Sequence, residues 1–371
     1  MAPDFILPSP EMTTGAAARA RLQRLWADGA AFLGCDVAIM GGAMSWVSER
    51  NLVSAISNAG GFGVIACGSM SPDLLEAEIA ATKAMTQRPF GVNLITMHPQ
   101  LTDLIAVCHA HRVSHIVLAG GIPPGHAVRA IKDGGAKLVC FAPALVLARR
   151  LAKTGADALV IEGSEAGGHV GPVSLTVLVQ EILPHIRSIP VFVAGGLGRG
   201  EAILAYLEMG AAGAQLGTRF AAATESIAHA NFKQAFIHAN ARDARPSVQI
   251  DPNFPVIPVR GLVNEGTRRF MEHQAATISR VNAGTLSREE GQLSIEHFWA
   301  GALRRAVIEG DVENGSVMAG QSVGMVTHEQ PTAEIIGEIV AQAVAALSAR
   351  EAFGERDLAV GRIGHSFAVP G

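Results

Sequence analysis

Eight short apolar segments, each followed by a stretch of helical periodicity, dominate the first 220 residues of this chain and limit what it can fold into. They are CDVAIM (35–40), FGVIAC (62–67), FGVNLI (90–95), HIVLAG (115–120), AKLVCF (136–141), DALVIE (157–162), PVFVAG (190–195) and AGAQLG (212–217). Parallel strands are covered on both faces, so they read as unbroken apolar runs alternating with helices. The intervening ERNLVSAISNAG (49–60), DLLEAEIAATKAM (73–85) and GEAILAYLEMG (200–210) read as amphipathic helices, with glycine as a favoured stop. Eight such units within about 190 residues fit a closed (β/α)8 barrel of the α/β class. An open doubly wound sheet would carry GxGxxG after its first strand, where this chain has Gly41-Gly42-Ala43-Met44. Gly195-Gly196-Leu197-Gly198-Arg199-Gly200 comes nearer, but its last spacing is wrong and it follows the seventh segment.

The barrel is therefore expected over 35–220, after a helical extension at 1–34. Beyond Phe220 the chain becomes more charged and mostly helical, interrupted by SVQIDPNFPVIPVRG (247–261), which predicts an appended unit at 221–310 covering the substrate. A loop and the amphipathic helix TAEIIGEIVAQAVAALSAR (332–350) return over 311–350, and 351–371 reads as a tail. With 49% apolar and 17% charged residues the chain has the composition of a folded domain, not of a disordered one. A net charge of −4 without a lysine–arginine block gives no footprint for nucleic acid or an anionic membrane. Cys35, Cys67, Cys108 and Cys140 lie tens of residues apart, which argues against a metal site or redox disulfide and for buried thiols in the cytoplasm. No uninterrupted apolar run reaches the ~18–20 residues of a bilayer span, and MAPDFILPSPEMTTG has prolines and acids where a signal peptide would have an apolar centre. The arginine-bearing GAAARARLQRLWAD (15–28) fits a surface helix over one end of the fold better than a targeting segment. A small-molecule substrate and a homodimer are the partners expected.

In a (β/α)8 barrel the loops after the strands converge on one face, which holds the site. AGGLGRG after the seventh segment and LGTRF after the eighth are where backbone N–H groups can cradle a phosphate, helped by a short helix starting at Thr218. The same glycines can also serve only as tight turns. GGAMSWVSE brings Trp46 to this face, and Asn93 near the end of the third segment needs a hydrogen-bond partner from the loops or a ligand. EAGGHVG follows the sixth segment, where Gly167, Gly168 and Gly171 strip bulk from around His169. An imidazole there can act as acid or base. Glu162 and Glu165 flank it, either to orient the ring or as ordinary loop carboxylates. From GDVENGSVMAGQSVGMV (310–326), Ser316, Met318, Gly320 and Gln321 can lean over a ligand.

GGAMSWV (41–47), NAGGFGVI (58–65), RPFGVNL (88–94), EAGGHVG (165–171), VAGGLGRG (193–200), QLGTRF (215–220), RGLVNEGTRRF (260–270) and GSVMAGQ (315–321) resemble, in order, segments of the nitronate monooxygenase family. This family, also called 2-nitropropane dioxygenases, shares its barrel with the flavin-type enoyl-acyl-carrier-protein reductases. The resemblance runs from about residue 35 to 345 and implies non-covalent FMN. It implies that Gly42, Ala43, Met44 and Asn93 line the flavin, that Gly195, Gly196, Gln215, Gly217 and Thr218 hold its ribityl phosphate, and that His169 faces the substrate. Glu162, Gly167, Gly168, Met318, Gly320 and Gln321 complete the expected cofactor-binding set. Relatives commonly read Gln-Gly-Gly-Met where this chain has Gly41-Gly42-Ala43-Met44, so Ala43 can serve only through its backbone. The reaction implied first is oxidation of alkyl nitronates with O2 to a carbonyl compound and nitrite. NAD(P)H-dependent enoyl reduction is the alternative, and a non-redox barrel binding a phosphorylated ligand stands as a third reading.

Overall fold

The computed structural model describes residues 10–68, 70–254 and 256–363. Its strands are β1 (Ile39–Gly41), β2 (Gly63–Ala66), β3 (Phe90–Ile95), β4 (His115–Ala119), β5 (Lys137–Phe141), β6 (Ala158–Glu162), β7 (Gly168–His169), β8 (Val191–Ala194), β9 (Gly213–Leu216), β10 (Ala244–Pro246) and β11 (Val259–Leu262). All except β7, β10 and β11 form one parallel sheet in the order β1-β9-β8-β6-β5-β4-β3-β2. A parallel bridge between Met40 and Phe62, with Gly41 N–H on Phe62 O and Phe62 N–H on Ile39 O, both 2.9 Å, joins the first strand to the second and closes the ring. The expected (β/α)8 barrel is what forms.

The apolar segments form strands because they are covered on both sides: Ile39, Ile65, Val92, Val139, Val160, Val193 and Ala214 are fully buried. The helices between them are set by their ends. Ser71 accepts from Leu74 N–H ahead of Pro72 to start Pro72–Met85, and Glu49 accepts from Asn51 and Leu52 N–H to start Arg50–Asn58. The first strand begins at Ile39, later than its apolar segment. Helix Ala27–Leu33 closes on Gly34 at φ +72°, and the N–H groups of Asp36 and Val37 both bond to Gly60 O, so the chain is still turning there.

Three rings and a lysine side chain plug the amino-terminal end of the barrel. The His115 ring packs edge-on to Phe32 and Phe62, with centroids 5.1 and 4.8 Å away, and Lys137 lies over Phe32.

Past residue 220 the helices Ala230–His238, Glu265–Asn282 and Arg288–Val307 are accompanied by a small antiparallel sheet in the order β10-β11-β7. That sheet has no counterpart in the sequence reading, because strands of two to four residues, one of them Ala-Arg-Pro, carry too little alternation to register. Phe254, Val259, Phe270, Ile278, Ile295 and Trp299 give this unit its own core, with the Phe270 and Trp299 rings tilted by 31° at 3.9 Å between centroids. The last helix, Thr332–Ile363, continues through Gly354 and Gly361 where a tail was expected, and 364–371 lie outside the described residues. By length and composition its Thr332–Arg350 part is apolar enough to cross a membrane, but Ile335, Ile336, Ile339, Ala343 and Leu347 are buried against the protein.

Candidate active site

The carboxyl ends of the strands carry polar side chains whose bonding capacity is not used up among the described residues. Glu162 pairs with Ala194, Ala194 with Gln215, and Gln215 with Met40, across β6, β8, β9 and β1. Residues paired on adjacent strands project to the same side, so small Ala194 separates a carboxyl from an amide whose strands run roughly 10 Å apart. Gln215 is buried and Glu162 half-buried, and neither side chain hydrogen-bonds among the described residues. Burial without a partner pushes the Glu162 carboxyl up to about 8, so it is a neutral acid at neutral pH. On β3, Asn93 spends its amide N–H on Val117 O at 3.1 Å and keeps its carbonyl oxygen free. The spare atoms of these three side chains are open to solvent at one end of the barrel, where they can receive a polar ligand.

Beside them is a run of unspent backbone donors. The N–H groups of Gly195, Gly196, Gly217, Thr218 and Ala43 make no hydrogen bond among the described residues. Gly195 and Gly196 lie at φ +96° and +67°, and a Cβ would come within 2.8 Å of Gly163 O at the first and 2.9 Å of Glu165 Cβ at the second. Only glycine fits this turn. After β9, Thr218–Ala221 forms a single helical turn. Arg219, in that turn, is buried and holds Gly198 O at 2.9 Å and Glu338 at 2.8 Å. It braces the loop and leaves the anion-binding task to the backbone.

The His169 loop and the returning 315–321 segment are packed main chain to main chain. Gln321 N–H donates to Glu165 O at 2.9 Å and Gly320 N–H to the Thr218 hydroxyl at 3.0 Å, while a Cβ on Gly167 would come within 2.6 Å of Gly320 N. Met318 reaches Gly168 with its sulfur 3.7 Å from where a Cβ would be. Ser316 sits elsewhere, lining a cavity of about 10 Å³ under the cover with Trp299. Gly42 and Met44 are fixed through Ser48, whose hydroxyl donates to Gly42 O at 2.7 Å and accepts from Met44 N–H at 3.0 Å.

His169 lies on the edge of the small sheet, opposite Val259. Neither neighbouring carboxylate orients it. Glu165 instead caps the helix Leu175–Ile182 by accepting from Leu175 N–H at 3.0 Å, and Glu162 belongs to the rim row. The partner is Glu296 of the covering helix Arg288–Val307, whose carboxylate stands 3.3 Å from His169 Nε2; both side chains are nearly half exposed, at 47% and 42%. His169 holds the Glu296 carboxyl below the usual carboxylate range against the opposing effect of burial. Sequence offered no signal for this contact, which spans more than a hundred residues. The same helix meets the loop after β1, where Trp46 Nε1–H donates to Ala300 O at 3.3 Å and Arg304 lies 5.8 Å from the Trp46 ring centre. Trp46 has φ +66°, a left-handed backbone that costs a bulky residue energy and recurs at functional sites.

A barrel whose rim offers unspent backbone donors, a neutral acid and an exposed histidine under a helical cover has the layout of a cofactor-using enzyme. Residues 30–342 match the family of nitronate monooxygenases. The chain is 30% identical over 350 residues, 87% of its length and 97% of the relative's, to (3aS,4S,5R,7aS)-5-hydroxy-7a-methyl-1-oxo-octahydro-1H-indene-4-carboxyl-CoA dehydrogenase of Mycobacterium tuberculosis. It is 26% identical to nitronate monooxygenase of Paraburkholderia phytofirmans, over 83% of this chain and 92% of that one. Among solved structures it is similar to FabK from Thermotoga maritima, with TM-score 0.77, 33% identity, and coverage of 87% of this chain and 98% of that one. The chain belongs to the nitronate monooxygenase family, and it is a flavin-dependent oxidoreductase.

Proposed function

We propose that the flavin is FMN and that the enzyme reduces an enoyl or related acyl thioester at the expense of NAD(P)H. In this reading the free N–H groups of Gly195, Gly196, Gly217 and Thr218 hold the FMN phosphate. Gly42, Ala43, Met44, Asn93, Glu162 and Gln215 line the flavin, walled by Gly167, Gly168, Met318, Gly320 and Gln321. Bound there, FMN would supply two-electron chemistry linking the nucleotide to the substrate. Reduction of an enoyl thioester adds a hydride at its β-carbon and a proton at its α-carbon, and in this reading His169 would deliver the proton.

The observation that carries the substrate class is the charge beside His169. Glu296 is the group within ion-pair distance, and it is a carboxylate kept ionised by the contact. A nitronate on the other side of the imidazole would add a second anion, and two like charges roughly 7 Å apart repel by about 2 kcal/mol at the effective dielectric of a protein surface, less where solvent and salt screen them. A thioester carbonyl adds no charge. The relative named as a CoA dehydrogenase, at 30% identity, supports the same class. Nitronate oxidation with O2 is the second reading, favoured by the family match over 30–342 and the 26%-identical relative of that name. The four thiols, unpaired and each pushed up to about 12 chiefly by burial, suit work in the cytoplasm.

Anaerobic mixing tests the proposal. Bleaching of the flavin absorbance by NADH or NADPH, reversed by crotonyl-CoA, is the expected result. Bleaching by propionate 3-nitronate with no response to either nucleotide would overturn the thioester assignment in favour of the second reading.

A further inference from the structure

The covering helix presents three residues to the mouth of the barrel at intervals of four: Glu296 to His169, Ala300 to Trp46 and Arg304 to the Trp46 ring. Residues four apart share a helical face, so one stripe about 12 Å long spans the opening from the loop after β6 to the loop after β1. Ile295 and Trp299, next to that stripe, are buried in the cover's own core. Ser287 and Glu290 form a capping box at the start of the helix. Glu296 is therefore carried on an anchored element, and its aim at the imidazole is set by the fold. Apart from Glu296, no ion pair or hydrogen bond of the His169 ring is found among the described residues, so Nδ1 is unengaged. His297 neighbours Glu296 on the helix, and Arg260 of β11 is spent on Ser164 O and Ala244 O at 2.9 and 2.6 Å.

We infer that Glu296 is a positioning residue for His169: its carboxylate accepts the Nε2 proton, fixing the tautomer and ring orientation so that Nδ1 is the nitrogen that exchanges a proton with substrate. An imidazole aimed by a third group is a recurrent arrangement, because an unassisted ring divides its time between tautomers and rotamers. Here the aiming group belongs to the cover and the ring to the barrel, so the pair is complete only while the helix is seated on Trp46. The role in turnover rests on the thioester reading; the pairing does not.

The test uses the flavin-loaded full chain labelled with 15N-histidine, with the His169 signals assigned by loss in His169→Asn. In the unsubstituted enzyme the 15N shifts should report the proton on Nε2. Glu296→Ala should move them toward the average of the two tautomers, whereas Glu296→Gln, whose carbonyl can still accept, should retain the original pattern. With NADPH and crotonyl-CoA, Glu296→Ala should lower kcat by up to roughly 10²-fold, the size expected when a reacting group loses its aim by about 1 Å, with KM nearly unchanged and Glu296→Gln in between. Unaltered 15N shifts in Glu296→Ala would overturn the inference, even with reduced kcat, because the loss would then be structural. A lower KM with undiminished kcat would overturn it as well, by showing that Glu296 occupies the substrate's place. The tautomer change without thioester turnover would uphold the pairing and sink the reaction reading.

Discussion

The two ends of the barrel treat a buried titratable group in opposite ways. At the base, His115 Nε2–H donates to Phe32 O at 3.0 Å, Nδ1 pairs with the Ser114 hydroxyl at 2.9 Å, and burial lowers the ring to about 4. At the mouth, Glu162 has no hydrogen-bond partner among the described residues and burial raises it to about 8. Both shifts have the same leading cause, since desolvation disfavours whichever form is charged. The difference is in the bonding. The base closes on itself through helix Ala27–Leu33, while the mouth keeps Gln215, Glu162 and the backbone donors of Gly195 and Gly196 unspent. One end of a (β/α)8 barrel is thus built for stability and the other for a ligand.

The largest expected effect comes from filling the mouth. Gly196→Val puts a branched side chain where a Cβ alone would come within 2.9 Å of Glu165 Cβ, at φ +67°, so the turn that offers the donors cannot keep its shape. The purified variant should be colourless and take up no FMN, with its far-ultraviolet circular dichroism intact; full flavin occupancy would show that this turn is not the cradle. Next in size is His169→Ala. It should stay yellow yet lose about 10²–10⁴-fold in kcat, the usual contribution of an acid–base group, and unchanged turnover would remove His169 from the chemistry.

The difference between the two ends also decides how much was legible beforehand. The eight strands could be read because each is an apolar run covered on both faces, and the glycine loops could be read because Gly195 and Gly196 tolerate no other residue. His169 was legible as a lone imidazole in a loop stripped of bulk. Its partner was not, and the reading of Glu162 or Glu165 as possible orienting groups followed chain proximity, whereas Glu165 caps a helix and Glu296 arrives from the cover. The buried Arg219 brace was hidden for the same reason, since Glu338 lies far along the chain. Local pattern reports what a residue's own strand or turn requires; a contact between distant segments leaves no trace in either segment.

Two further substitutions separate the ends by pH. His115 is neutral in the folded chain and takes a proton more readily once unfolded, so its contribution to stability is complete above pH 6.5 and is lost as pH falls toward 4. The loss should reach roughly 3 kcal/mol. His115→Gln keeps a donor for Phe32 O but cannot titrate, so its urea midpoint should change far less over that range than that of the unsubstituted protein. Equal acid sensitivity in the two would mean that His115 is not the responsible group.

Glu162 runs the other way. Its folded value lies above its ordinary 4.5, so the flavin-free protein should be most stable below pH 4.5 and lose that contribution as pH rises through about 8. The effect should be smaller than at the base, because Glu162 is only half-buried and solvent at the open mouth screens its charge. Glu162→Gln removes the titration and keeps an uncharged side chain of similar size, so the variant should lose the decline between pH 4.5 and 8 and be the more stable of the two at the alkaline end. FMN should narrow the gap, since a ligand bound over the carboxyl supplies the partner that the protein withholds. Parallel stability curves for Glu162→Gln and the unsubstituted protein would mean that the carboxyl is already satisfied without a ligand, and the contrast between base and mouth would then rest on the backbone donors alone.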